Sequence, residues 1–394
     1  TYMKIAPSYS RVGNANLNPY SVNPTGNVAA GFPFNVPSYV LNTSVTNPNV
    51  KPEYFTSIEL NAMFGFFNDR ITLEGSIYQS KTKDLIIASA PSNASGLSSY
   101  VDNIGNAKTN GFDIDLGLTP IKTQNFTWNL NAYFSKSETV LESLKSGASQ
   151  VALLTYSSPS IGVAAVVGEN LYSFVGSTYV KCPNGNIVVW ANGVPLINSA
   201  LSVLGNVNPD YTMGLSTSFR YKGLSLSAVM DYRKGGQFVS FTKGLLAFTG
   251  GLEQTADQPR EGGYIVPNSV QLIGVNYVTN TTAAYSADYS GVVTYWTGNN
   301  FRRTGENLIV DATFFKVREI ALSYDLPKSV LQSTFVNGIT LSLYARNPIA
   351  IYAKSNRNFA DPETSNRNGN LSGIADTNQY PTTRVFGFKL NATF

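Results

Sequence analysis

The sequence predicts an all-β fold, an antiparallel transmembrane barrel, and three observations carry that prediction. Apolar and polar side chains alternate along segment after segment. The alternating segments run to about ten to thirteen residues, whereas strands in ordinary globular sheets average about five or six. The connections between them alternate short and long, which is how outer-membrane barrels are built.

A first strand is expected near Met3 to Val12. An Asn- and Pro-rich loop follows over 13–52, where Pro24, Pro33, Pro37 and Pro48 forbid central strand pairing. From Ser57 to Phe66, the residues Ile58, Leu60, Ala62, Phe64 and Phe66 share one face, with Ser57, Glu59, Asn61 and Gly65 on the other. Arg70 to Gln79 sets Ile71, Leu73 and Ile77 against Thr72, Glu74 and Ser76. Gly111 to Leu118 and Phe126 to Ser135 repeat the pattern, as do Met213 to Tyr221, Leu224 to Tyr232, Ile339 to Arg346 and Thr382 to Phe394. A period of two puts successive side chains on opposite faces of a sheet. Between Ala312 and Leu326 the parity shifts near Arg318, as a β-bulge would make it. About ten strands result, in one domain.

Short connections are expected at Asn68-Asp69, Ile121 to Asn125 and Lys222-Gly223, with a short helical turn within Pro327 to Val336. Long polar loops are expected near 13–52, 84–103, 139–208, 237–306 and 348–380. Phe66, Phe67, Tyr78, Tyr211, Tyr221, Tyr232 and Tyr324 lie near strand ends, where aromatic girdles form at the lipid–water boundary. The polar face offers Ser, Thr, Asn, Asp and Glu, as the lumen of a wide barrel would.

Composition narrows the function. Charged residues make up 13% of 394 residues, mean hydropathy is −0.07, and no apolar run is long enough for a membrane helix; the best is Ile161 to Val167. The net charge of +4 forms no basic block of the kind nucleic acid would want. Histidine is absent, which removes Ser-His-Asp and Cys-His nucleophile schemes, and the single Cys182 excludes an intrachain disulfide. No zinc spacing can be written, no cofactor motif is present, and the chain reads as a non-enzyme. It opens without a signal peptide, so an exported protein would have to be a mature piece of something longer.

Several constellations resemble functional sites. Asp113 and Asp115 share one face, but solvated lumen residues are the plainer reading than a carboxylate pair for catalysis. Asp361-Pro362-Glu363 offers oxygens for calcium without the twelve-residue loop that would support it. Arg302-Arg303, and Arg357 with Arg367, are loop cations. Tyr156, Tyr172, Trp190, Tyr295, Trp296 and Tyr352 are loop aromatics that would touch a substrate or a lid protein.

The segments NPNVKPEYFTSIELNAMFGFFNDRITLEGSIYQSKTKDLI (Asn47 to Ile86), NIGNAKTNGFDIDLGL (from Asn103), GNVNPDYTMGL with DYRKGG (Gly205 to Gly236), FFKVREIALSYDLPKSVL (Phe314 to Leu331), DPET, and YPTTRVFGFKLNATF (Tyr380 to Phe394) occur in order. Together they resemble the SusC/RagA family of TonB-dependent outer membrane transporters. Asp113 stands where Glu is usual, and Ala345-Arg346-Asn347-Pro348 departs from a G-Q-N-L segment. The resemblance covers most of 45–137, 205–236 and 310–394, and the long loops match little.

The resemblance implies a 22-strand barrel of which this is the C-terminal portion, with the plug domain outside this chain. It implies import of oligosaccharides, glycans or peptides across the bacterial outer membrane, with a SusD-like surface lipoprotein as lid and TonB acting through the plug. Remaining barrel strands and outer membrane lipid would be further partners, and nucleic acid none. Phe386, Phe388, Leu390 and Phe394 alternate up to a terminal aromatic, and the resemblance implies that this last strand is the barrel-insertion signal. With Phe394 periplasmic, parity puts every short turn in the periplasm and every long loop outside. A passive porin or surface-binding barrel, and a secreted soluble β-sandwich for carbohydrate binding, are the alternatives.

Overall fold

The computed structural model describes the whole chain except residues 16, 30–37, 158–159, 199, 257–260, 299, 333–334, 357–358, 366–371, 376–379 and 381. Ten strands form one antiparallel meander in sequence order. They are β1 (Tyr2–Asn14), β2 (Glu53–Phe66), β3 (Ile71–Ser89), β4 (Ser99–Lys122), β5 (Phe126–Leu144), β6 (Tyr211–Tyr221), β7 (Leu224–Lys234), β8 (Phe314–Asp325), β9 (Gly338–Tyr352) and β10 (Val385–Thr393). Ser44–Thr46 adds a short parallel pairing to β4. Among the described residues, β1 pairs only with β2 and β10 only with β9.

Cross-strand register fixes the two faces, because directly opposed residues of an antiparallel pair point the same way. Phe64, Leu73, Leu116, Ala132 and Leu215 form one row, and Leu60, Ile77 and Phe112 another. The second row is exposed, with Leu60 46% and Ile77 62% accessible, and the first is partly exposed. On the same face, rings stack from strand to strand: Phe112 on Phe134 at 5.4 Å, Phe134 on Tyr211 at 5.3 Å, and Trp128 on Phe219 at 5.4 Å. The opposite face carries Ser57 bonded to Ser80, Asn61 bonded to Glu74, and Thr109 bonded to Thr139. An apolar face left bare beside a polar, hydrogen-bonded one is the signature of a wall between lipid and water.

The expected bulge is present. Arg318 has no opposite residue on either side, the register stepping from Val317 to Glu319 against both β7 and β9. Phe315, Val317, Ile320, Leu322 and Tyr324 therefore share the apolar face. The short turns also match. Phe67, Asn68 and Asp69 all take positive φ in the first of them, and Lys328–Leu331 is a single helical turn. At Gly223 a Cβ would meet the Asp325 carbonyl oxygen at 2.7 Å, so the Lys222-Gly223 turn needs its glycine.

Three expectations need correction. Tyr78 is not part of an outward girdle. It lies on the polar face, flat over Gly111 of β4, in a pattern repeated by Tyr2 over Gly65, Tyr133 over Gly214 and Tyr344 over Gly387. Each is a directly opposed pair in which the missing side chain makes room for the ring. Second, the strands are not uniformly ten to thirteen residues. β3, β4 and β5 run to 19, 24 and 19 residues, so the connection expected over 84–103 shrinks to the stretch between Ser89 and Ser99. At about 3.3 Å per residue β4 spans about 80 Å, far more than a bilayer needs.

Third, the long loops are folded. Strands Gln150–Ser157, Ser160–Val166, Ser173–Gly176 and Ser202–Asn206 make a four-stranded sheet. Gln237–Ser240 pairs with Ile309–Asp311 and with Ile374–Ala375, so two different loops share one sheet. The helices Phe241–Thr249 and Tyr289–Thr297 pack beside them. The buried apolar cores of the described residues lie chiefly here: the two larger are built on Phe238, Trp296 and Val310 and on Phe174, Val163 and Leu308, and a small third on Cys182, Val188 and Val270. The second takes Ile87, Ile104, Leu141 and Leu144 from the upper ends of β3, β4 and β5, which is why those strands extend.

Candidate functional site

Two knots of polar side chains brace the wall, the second of them tying it to the folded loops, and both are made from the sequence motifs. The first centres on Asn103, which is buried. Its Nδ2 donates to the Lys51 carbonyl at 2.9 Å and the Asp84 carbonyl at 2.6 Å, and its Oδ1 accepts from the Lys51 amide at 2.8 Å. Glu53 accepts from the Ile86 amide at 3.1 Å and from Asn14 Nδ2 at 2.9 Å. Asp102 accepts from Asn47 Nδ2 at 2.7 Å and pairs with Lys145 at 2.9 Å. The segments NPNVKPE, KTKDL and NIGN are thereby one hydrogen-bonded unit.

The second knot is ionic and faces the polar side of β7 and β8. Lys316 is fully buried and donates to both oxygens of Asp361, each at 2.7 Å, and to Glu363 at 2.5 Å. Arg318 donates to Glu363 through two guanidinium nitrogens, at 2.8 and 2.5 Å, and through Nε to Asp231 at 2.7 Å. Arg233, also buried, donates to the Val207 carbonyl, and Thr382 donates to Asp361. The bulge brings the Arg318 and Glu319 side chains to the same inner side in succession, and Glu319 pairs with Arg346 at 3.0 Å. Burial pushes the Asp361 and Glu363 carboxyls up, but hydrogen bonds from Lys316, Thr382 and the Glu363 amide outweigh it at Asp361, and Arg318 with Lys316 outweigh it at Glu363, so both lie below the usual carboxylate range. The knot joins DYRKGG, FFKVRE, GNVNP and DPET.

The oxygens of Asp361 and Glu363 weighed for calcium are thus occupied by cations. Asp113 and Asp115 lie on the polar face, opposite Ser76 and Glu74 respectively. Arg302 stacks over the Phe248 ring at 4.8 Å, and the Arg303 carbonyl accepts from the Ser160 amide. Arg357 and Arg367 lie outside the described residues.

The six aromatic candidates do not form one surface. Tyr295 and Trp296 are buried in the loop-domain core with Tyr264 and Phe301, ring centres 4.6 to 6.5 Å apart. They floor a cleft of about 720 Å³ whose rim includes Gln254, Glu261 and Gly262. Burial raises the Tyr264 hydroxyl to about 12 and the Tyr295 hydroxyl higher still, so both stay protonated donors. Tyr156 is half-buried, edge-on to Phe241 at 5.2 Å, and Tyr172 packs against the second core. Trp190 is 60% exposed. Tyr352 stands at the top of β9, its ring 5.7 Å from the Lys316 ammonium. Phe386, Phe388, Leu390 and Phe394 all present exposed rings or branches, and the Phe394 ring stacks on Phe335 at 5.6 Å.

Comparison with known proteins gives a consistent neighbourhood. A family model described as TonB dependent receptor-like, beta-barrel matches residues 5–230. TonB-dependent receptor P3 of Formosa agariphila is 24% identical over 425 residues, covering all of this chain and 39% of that receptor. TonB-dependent receptor SusC of Bacteroides thetaiotaomicron is 26% identical over 397 residues, covering 96% of this chain and 36% of SusC. The structure of the RagAB peptide importer in its open-open state superposes with a TM-score of 0.68 at 20% identity, over all of this chain and 40% of that one. At that identity the likeness is one of fold. This chain spans about two-fifths of the length of the curated relatives it matches.

Proposed function

The chain belongs to the TonB dependent receptor-like β-barrel family of the bacterial outer membrane, and we propose that it supplies the C-terminal wall and outer face of an active importer. The cargo class in this reading is an oligosaccharide, glycan or peptide too large for a porin. A SusD-like lipoprotein would cover the mouth, and TonB would act through a plug carried elsewhere in the protein. The short turns and Phe394 face the periplasm in this reading, and the folded loops face outward.

The observation that carries the reading is the loop domain itself. A passive pore needs loops that leave its mouth open. Here the loops form two large apolar cores over one end of the wall and are tied to its inner face by charged groups on β7 and β8. That is the construction of a gated, ligand-selecting mouth.

The test is uptake by cells carrying the whole protein, with and without the energy coupler, on glycan and peptide mixtures. Uptake lost on removing the coupler, with barrel abundance unchanged, supports active import. Uptake that persists would make the protein a passive barrel. Loss of uptake for one cargo class only would name the substrate class.

A further inference from the structure

The apolar face of the wall ends in a patch of cations. Register places Arg11, Thr56, Lys81 and Lys108 side by side on β1 to β4, all pointing to the lipid side. Lys83 stands one row higher on the same face, opposite Tyr54. Lys136 lies lower, opposite Phe112. Lys81 and Lys108 are directly opposed, an arrangement of like charges that costs a sheet stability. None of these cations forms an ion pair among the described residues. Arg11 instead lies over the Tyr54 ring at 4.8 Å. The nearby carboxylates are Glu138, opposite Asn110, and Asp84 at the β3 bulge.

The patch is local. Across β6 to β10 the same face carries one cation, Lys234, opposite Tyr211. A general belt of interfacial lysines would not concentrate on half the wall. Its height is also specific. The apolar rows run from Phe66 up to Leu60, about 20 Å of strand, within the apolar band of about 25 Å in such barrels. A boundary row of Ile58, Gln79, Asn110 and Glu138 follows, with Gln79 donating to Asn110, and Arg11, Lys81 and Lys108 form the row above it.

Beneath lies a groove of about 540 Å³ on the outer surface, with Pro7, Ile58, Leu60, Ile77 and Phe112 as its apolar lining and the oppositely charged Lys136 and Glu138 at its side. An apolar groove capped by unpaired ammonium groups fits an amphiphile: acyl chain below, anionic headgroup above. Lysines serve as point charges for phosphate. We propose that β1 to β5 carry a binding site for a phosphate-bearing lipid of the leaflet beside the folded loops. The lipid would neutralise the Lys81–Lys108 pair that the protein leaves unbalanced. This rests on the topology above, with the long loops outward; the lipid is then one of the outer leaflet.

The full-length receptor in dodecyl maltoside is titrated with bisphosphorylated lipid A, with dephosphorylated lipid A, and with inorganic phosphate as competitor. Retained lipid is read by native mass spectrometry. Selective retention of the phosphorylated form is expected, weakened by about tenfold or more in Lys81→Gln/Lys108→Gln. The variant's heat-modifiable mobility should remain that of a folded barrel, since both side chains point away from the sheet. Equal retention by variant and wild type, or displacement by millimolar inorganic phosphate, would overturn the proposal. Orientation is read separately by labelling Asn93→Cys on intact cells with an impermeant maleimide. Labelled loops with no lysine dependence would leave the topology standing and remove the lipid site. Unlabelled loops would remove the topology whatever the lipid does.

Discussion

Arg318 and Glu363 meet as two parallel forks, with Nη1 2.8 Å from Oε2 and Nη2 2.5 Å from Oε1, although one belongs to a wall strand and the other to a loop 45 residues later. The bulge gives Arg318 the freedom to reach both this carboxylate and Asp231. The last loop is therefore fastened to the wall by charge, where a small apolar contact would slide.

Breaking the buried half of this knot should be costly. Lys316 and Asp361 have side chains 1% and 0% exposed. Removing one partner strands the other charge, at about 3–5 kcal/mol, whereas replacing both with apolar residues is often neutral. Asp361→Leu and Lys316→Met should each speed proteolysis within 353–384, and Lys316→Met/Asp361→Leu should recover much of the loss. A double-mutant cycle on proteolysis rate checks this; additive single effects would mean the two residues act separately.

The knot should also fail in acid. Asp361 and Glu363 are held below their ordinary values in the folded state. The unfolded chain binds protons more readily, so stability from these groups is whole above the ordinary carboxylate pKa, near 4. It drains away as pH falls through the lower folded values. Hydrogen exchange of 361–365 should be unchanged, after correction for intrinsic rates, between pH 7 and 5. Protection should then fall as pH drops below about 4. Loss already complete at pH 5 would contradict the pairing.

Much of the wall was legible because lipid outside and water inside impose a period of two. The turns at Asn68-Asp69 and Lys222-Gly223, and the bulge at Arg318, followed from where that period started, stopped or slipped. Tyr78 shows its limit: alternation put it with Thr72 and Glu74, but its aromatic character suggested a girdle, and only the opposed Gly111 explains an inward ring. The loop domain was not legible. A strand buried on both faces reads as a continuous apolar run, so Ile161 to Val166 carried no alternation to assign. The charges of Lys316 and Arg318 on a wall strand were a usable signal for the ionic knot, since unpaired they would be expensive there.

The final strand offers a further test. Phe394 stacks on Phe335 with planes 12° apart, and Phe335 is itself 82% exposed. If Phe394 serves insertion, Phe394→Ala should lower the amount of heat-modifiable barrel in the outer membrane, while Phe335→Ala leaves it near wild type. Equal losses would assign the terminal ring to stability of the stack and not to assembly.

The paired Tyr and Gly residues separate space from propensity. A methyl on Gly214 would overlap the ring of Tyr133, whereas on Gly75 it would meet nothing nearer than the Asp113 carbonyl oxygen at 3.9 Å. Both glycines sit in wall strands, so intrinsic strand preference favours alanine at each. Gly214→Ala should nonetheless destabilise the barrel, by about 1 kcal/mol, because the ring must swing off its partner strand into the lumen. Gly75→Ala should be neutral or slightly stabilising. In the Tyr133→Ser background the Gly214→Ala penalty should vanish, since nothing then covers the position. Thermal unfolding of the four proteins in the same detergent decides it: a Gly214→Ala penalty that survives without Tyr133 would place the constraint in the backbone and not in the ring.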